Sequence, residues 1–191
     1  MLVCLFATSV YCVPPQKDGI DAEEYKVYSD ALPELVQAVA GRDTYIIYDK
    51  TESLGQGRLG AFEQQTVDYI KEQIGIELDP AIVAEFRVKN VSPHQLEQKF
   101  AKSLNVILMT GEESSAIFSD MDNGWDNFYA KYPGSYGTIE VSRVAFDKKK
   151  ESALLYFGNQ RDWLMGAGYY VLLQKKDGKW VIVNAAMAWI S

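Results

Sequence analysis

The chain has 191 residues, a formal net charge of −7 and 48% apolar residues, including 4 Trp, 12 Tyr and 8 Phe. That length suits one domain that buries its own core without a disulfide or metal staple. The charge has the wrong sign for nucleic acid or an anionic membrane surface, and Lys148, Lys149 and Lys150 form the one basic run.

Residues 2–13 (LVCLFATSVYCV) carry no charge, and Pro14 and Pro15 follow. The run is too short to span a bilayer as a helix. It has the length of a signal-peptide core with small Ala7, Thr8 and Ser9, although a positively charged start is missing. The expectation is an exported protein, periplasmic or extracellular, without a transmembrane segment. Residues 1–15 then form a signal peptide or apolar N-terminal segment, and 16–191 a single α+β domain. The alternative is an N-terminal strand packed on that domain. Both cysteines, Cys4 and Cys12, lie in the run, so its removal leaves no thiol for a disulfide, a metal or nucleophilic attack. Bulky Tyr11 disfavours a lipid anchor at Cys12.

From Glu23, Tyr25, Tyr28, Leu32, Leu35, Val36 and Val39 recur at helical steps, with Pro33 marking a kink or a restart and Gly41 a stop. Residues 44–51 (TYIIYDKT) read as a strand. Gly55, Gly57 and Gly60 mark a loop. Phe62, Thr66, Ile70 and Ile74 share one face of a second helix, and Asp79-Pro80 opens a third as cap and first helical residue. Residues 105–109 (NVILM) read as a buried strand, and 112–118 as one or two helical turns. Asp122 or Asn123 then caps a helix carrying the aromatic stripe Trp125, Phe128, Tyr129 and Tyr132.

The last third reads as four strands, 138–147, 152–159, 168–176 and 180–190. Asp177-Gly178 is a two-residue hairpin turn, and 158–168 a longer loop. The fold class expected is α+β: N-terminal helices packed on a C-terminal antiparallel meander of four to six strands, with the Trp125 helix as its cover. A curled, nuclear transport factor-like sheet is one form of it.

Trp125 to Gly137 (W-x-x-F-Y-x-x-Y-P-G-S-x-G), Ser142 to Phe146 (S-R-V-x-F), Gly166 to Leu173 (G-A-G-Y-Y-V-L-L) and Asp177 to Trp180 (D-G-K-W) occur in that order. The pattern, over roughly residues 84–191, resembles a group of bacterial exported proteins of unknown function. The resemblance implies an exported globular domain and no particular reaction or ligand. A cysteine-containing loop frequent in that group is replaced here by Gln160 to Gly168 without cysteine, so no thiol role carries over.

No catalytic or cofactor motif stands out, and no cofactor or metal is expected. His94, the one histidine, sits in a polar stretch with no nucleophile-elbow sequence to serve. Asp120, Asp122 and Gly124 start like a calcium loop, but Lys131 stands where a bidentate Glu is needed. Ile139 and Val141 alternate with one parity and Val144 and Phe146 with the other. Either both faces are covered or a β-bulge shifts the register near Ser142-Arg143. A buried Arg143 then needs a carboxylate or carbonyls, with Glu140, Asp162 and Asp49 as partners to consider, or it binds an anionic ligand; otherwise it is exposed to solvent. Arg143, Asp162, Trp163, Tyr169 and Tyr170 are the candidate ligand-binding residues. The reading leans to a non-catalytic binding or interaction domain with a protein or small-molecule partner. The alternative is a small-molecule or enzymatic pocket on a cone-shaped α+β fold.

Overall fold

The structure, a computed structural model, describes residues 19–191; the apolar run with Cys4 and Cys12 lies outside them. In chain order the elements are α1 (Ala22–Leu35), β1 (Thr44–Tyr48), α2 (Gln64–Ile74), α3 (Pro80–Lys89), β2 (Asn105–Met109), α4 (Gly111–Phe118), α5 (Gly124–Lys131), β3 (Ser135–Val141), β4 (Ala145–Phe146), β5 (Ser152–Asp162), β6 (Met165–Lys176) and β7 (Lys179–Ile190). The caps follow elementary chemistry. Asp79 accepts the Ala81 N–H at 2.8 Å ahead of Pro80. Asp21 accepts the Glu24 N–H at 3.0 Å to open α1. Before α5 the N-cap is Asn123, one of the two residues expected, but its side chain makes no capping hydrogen bond; Asp120 Oδ1 accepts the N–H groups of Asp122 and Asn123 just ahead of the helix. Pro33 stays within the last turn of α1. The helix ends at Val36 with Gln37 left-handed, well before Gly41.

The sheet is α+β in type, open and mostly antiparallel, with strand order β2-β1-β3-β5-β6-β7 and β4 beside β5. β1 runs parallel to both β2 and β3, while β3, β5, β6 and β7 form the expected antiparallel meander. The hairpin at Asp177 (φ 50°) and Gly178 (φ 77°) is as expected, because both positions require positive φ. Three expectations need correction. β2 is an edge strand and largely half-buried, not a buried one. The stretch 158–168 is not a loop: β5 continues to Asp162 and β6 begins at Met165. The Trp125 helix does not roof the meander. Trp125, Phe128 and Tyr132 pack on Ile46 of β1 and Met109 of β2, at the parallel end of the sheet.

The meander is covered from both sides instead. α1 lays Tyr25, Tyr28 and Leu32 on Ile139, Leu155, Phe157 and Val171. α2 and α3 lay Ile70, Ile82 and Phe86 on the opposite parity, Leu154, Tyr156, Tyr170 and Leu172. β5 is therefore buried at every position from Ala153 to Gln160. Among the described residues both faces of the meander are thus packed against helices, and a nuclear transport factor-like cone is not confirmed.

The bulge anticipated from the parity slip is present. Val141 pairs with Phe157 and Ala145 with Leu154, so three residues of one strand oppose two of the other. The extra residue puts Ile139, Val141, Val144 and Phe146 all on the α1 face. Such a bulge strips main-chain groups of ladder partners, and in a buried sheet each must find another. Ser142 O accepts from the Tyr28 hydroxyl at 2.8 Å. Arg143 N donates to Asn90 Oδ1 at 2.8 Å, and Arg143 O accepts from Asn90 Nδ2 at 3.2 Å. Val144 N donates to Glu24 Oε2 at 3.0 Å, and Val144 O accepts from Lys89 Nζ at 2.8 Å.

Glu24 is 0% exposed and holds the centre of this knot. Its carboxylate accepts from Arg143 Nη2 at 2.5 Å and Nε at 3.2 Å, and from Lys89 Nζ at 3.5 Å. Arg143 is thus paired with Glu24, and not with Glu140, Asp162 or Asp49. Removing one member of such a pair leaves the other charge buried and unpaired. Glu24→Ala should destabilise the fold by about 3–5 kcal/mol in urea titration, in the range for a broken buried pair. A loss below about 1 kcal/mol, the level of an exposed pair, would show that the knot contributes little.

Candidate functional site

β1 and β2 end side by side, with Tyr48 in register with Met109. In open sheets the carboxyl ends of parallel strands are where ligands lodge, because the chains leaving them diverge. Here they open a cleft of about 650 Å³ lined by Tyr48, Asp49, Thr51, Glu52, Ser53 and Thr110, among others. The segment after β1 forms its inner wall. Thr51 N donates to His94 O at 2.9 Å, and Glu52 N donates to Val141 O at 2.8 Å, just before the bulge. These bonds hold Glu52 beside the end of β3. Ser53 is buried, and its hydroxyl has no hydrogen-bond partner among the described residues.

Behind Glu52 a second carboxylate rises from the sheet floor. Glu140, Gly158, Gly168 and Trp189 lie in one row across β3, β5, β6 and β7. The two glycines make this row a recess. A Cβ on Gly158 would stand 3.0 Å from Glu140 Oε2, and one on Gly168 only 2.1 Å from Trp189 Nε1. Glycine inside a strand commonly marks such a close approach. Within the recess Trp189 Nε1 donates to the Tyr156 hydroxyl at 2.6 Å, and that hydroxyl donates to Glu140 Oε2 at 3.4 Å. The Gly55–Gly60 loop swings Arg58 over the Trp189 ring at 4.2 Å, where its guanidinium bonds Gln160. Gly57 has φ 56°, and a Cβ there would strike the Glu52 carboxylate.

Two carboxylates in a partly dry setting resist ionising together. Burial and then the charge of Glu140 push Glu52 from its ordinary 4.5 up to about 7, against a smaller opposing effect of Arg58. Burial also raises Glu140, offset in part by Arg58 and the Tyr156 hydroxyl. Burial and the Glu140 charge raise Tyr156 as well, so it stays a neutral donor. Glu52 can therefore give or take a proton near neutral pH at the wall of an open cleft.

The residues singled out from sequence are not gathered here. Arg143 is locked to Glu24. Trp163 packs edge-on against Phe118 and Trp125. Tyr170 is buried among Phe62, Phe86 and Tyr156, its hydroxyl donating to Leu59 O at 3.2 Å. Asp162 and Tyr169 border hollows on the α1 side. Sequence reasoning missed Glu52, Arg58, Glu140, Tyr156 and Trp189. The available signal is the pair Gly158 and Gly168, glycines that stand inside β5 and β6. Among the described residues no group of His, Cys, Asp or Glu is placed to hold a metal, and no helix is long and apolar enough to cross a membrane.

The sign of the Glu52 effect follows from its raised affinity for a proton. The folded chain binds that proton more tightly than the unfolded chain, so this contribution to stability is complete below about pH 4.5 and is lost as pH rises through about 7. Glu52→Gln cannot ionise. Its thermal midpoint relative to the wild type should climb over that window, and parallel pH curves would show that Glu52 titrates normally.

Comparison with protein-family models, curated proteins and solved structures gave no match to this chain.

Proposed function

We propose that the chain is a binding domain for a small, polar, non-anionic molecule, held in the cleft at the ends of β1 and β2. The observation that carries this reading is Glu52, a half-buried carboxyl at the cleft wall with its affinity for a proton tuned to about pH 7. Protonated, it donates a hydrogen bond; ionised, it attracts an amine. Asp49, Glu52 and Glu112 outnumber Lys50 in the lining, which disfavours anions. Thr51, Ser53, Gln56, Gln95 and Thr110 supply further polar atoms for hydroxyl or amine groups.

A second reading uses the same carboxylates for acid–base catalysis. The raised Glu52 and Glu140, bridged toward Tyr156, favour it. Both readings make the same first prediction. A thermal-shift screen of sugars, polyols and small amines should find ligands that stabilise the wild type and fail to stabilise Glu52→Ala. A ligand that stabilises both equally is bound elsewhere and would overturn the assignment. Chemical turnover of such a ligand, lost in Glu52→Gln while binding persists, would select catalysis over plain binding.

Export completes the proposal. It is supported by the uncharged residues 2–13 and by the resemblance of residues 84–191 to exported proteins of unknown function. Mass spectrometry of the protein recovered from its host should give a mature N-terminus near residue 16. A recovered chain still starting at Met1 in the cytoplasmic fraction would reject export.

A further inference from the structure

We propose a second binding site on the opposite face of the sheet, for a small organic anion with an apolar body, in which Arg42 and Arg161 hold the charged head. Both arginines line a hollow of about 350 Å³ between the end of α1 and the start of β3. Each is held by neutral groups. Arg161 Nε donates to Asn159 Oδ1 at 2.8 Å and Nη2 to Val36 O at 2.7 Å. Arg42 Nη1 donates to Ser135 O at 2.9 Å, and its guanidinium stands 5.9 Å from the centre of the Tyr129 ring. Among the described residues neither has a carboxylate within ion-pair distance, whereas Arg143, Lys89, Lys131, Lys150 and Lys175 all do. The one acidic residue in the lining is Asp162, whose Oδ1 accepts the Trp163 N–H at 2.7 Å.

Two guanidiniums facing one hollow repel each other, and a bound oxyanion would relieve that repulsion while accepting their remaining N–H groups. The apolar half of the ligand follows from the neighbouring surface. Arg161, Gln37 and Met165 also border an adjoining hollow of about 180 Å³, walled by Leu35, Phe157, Ala167 and Tyr169. Val39, 55% exposed, lines the arginine hollow and Met165, 58% exposed, lines both, so apolar surface stands open beside the paired charges. A carboxylate head on the arginines places an aliphatic or aromatic body along this groove. The site also gathers Asp162 and Tyr169 of the sequence-based candidates, and it shares no lining residue with the Glu52 cleft.

Octanoate is the probe, with acetate and octan-1-ol as controls lacking the body and the charge respectively. Calorimetric titration of the full chain should show binding of octanoate and markedly weaker binding of either control. Arg42 is solvent-exposed, so Arg42→Gln tests the charge without disturbing the core. It should weaken octanoate about tenfold, the effect expected from one lost charge-assisted hydrogen bond. Arg161→Gln should do the same, read alongside its circular dichroism because Arg161 also caps the end of α1. Glu52→Ala should bind octanoate as the wild type does, which separates this site from the cleft on the other face. The proposal is overturned if the wild type does not bind octanoate, if octan-1-ol binds equally well, or if Arg42→Gln leaves the affinity unchanged.

Discussion

The pairing of Glu24 with the bulge at Ser142–Val144 is the constraint on which the rest of this structure depends. One carboxylate, fully withdrawn from water, accepts from a guanidinium, an ammonium and a main-chain N–H. An isolated buried carboxylate would be prohibitive, and four donors make it tolerable. The knot also ties layers together. Glu24 and Tyr28 come from α1 on one face of the sheet, and Lys89 and Asn90 from the end of α3. The two helices that cover the meander from opposite sides are thus fastened to the same three residues of strand.

The bulge has a second effect, at the cleft. It releases the edge of β3 just where Val141 O receives the Glu52 N–H, and Glu52 bridges to Ser142 in parallel fashion. The chain after β1 is thereby led along the sheet instead of away from it, and its carboxylate is brought near Glu140. The glycines opposite Glu140 complete the arrangement, since any side chain at Gly158 or Gly168 would occupy the recess that Glu140, Tyr156 and Trp189 share. Arg143 pairs with Glu24 and Glu140 borders the recess, three residues apart in sequence.

Strand parity divides the side chains around the two proposed sites between the faces of the sheet. On β5, Tyr156, Gly158 and Gln160 face the acidic recess, while Phe157, Asn159 and Arg161 face the hollows beside α1. Tyr169 and Tyr170 are adjacent in sequence and lie on opposite sides of a sheet buried on both. The period-two geometry of a strand keeps them from lining one pocket, and that separation was legible in the sequence itself. The identity of the Arg143 partner was not, because Glu24 lies 119 residues away and looks like an ordinary first-turn helix carboxylate.

By itself the sequence determined what local chemistry can determine. It specified the helix openings at Asp79 and the hairpin at Asp177-Gly178, which rest on capping and positive φ. It specified the antiparallel run after Thr138, and it marked the stretch near Ser142-Arg143 as either a parity slip or a strand covered on both faces; both rest on alternation along neighbouring strands. Only the tertiary structure decided which helix covers which strands. An aromatic stripe such as Trp125, Phe128 and Tyr132 states that a face must be buried, but any apolar surface satisfies it. The same holds for the sites. The charge of Glu140 raises the proton affinity of Glu52 through space, and Arg42 and Arg161 share a hollow across most of the chain length. Such juxtapositions exist once non-local strands pair, and they leave no local pattern in the sequence.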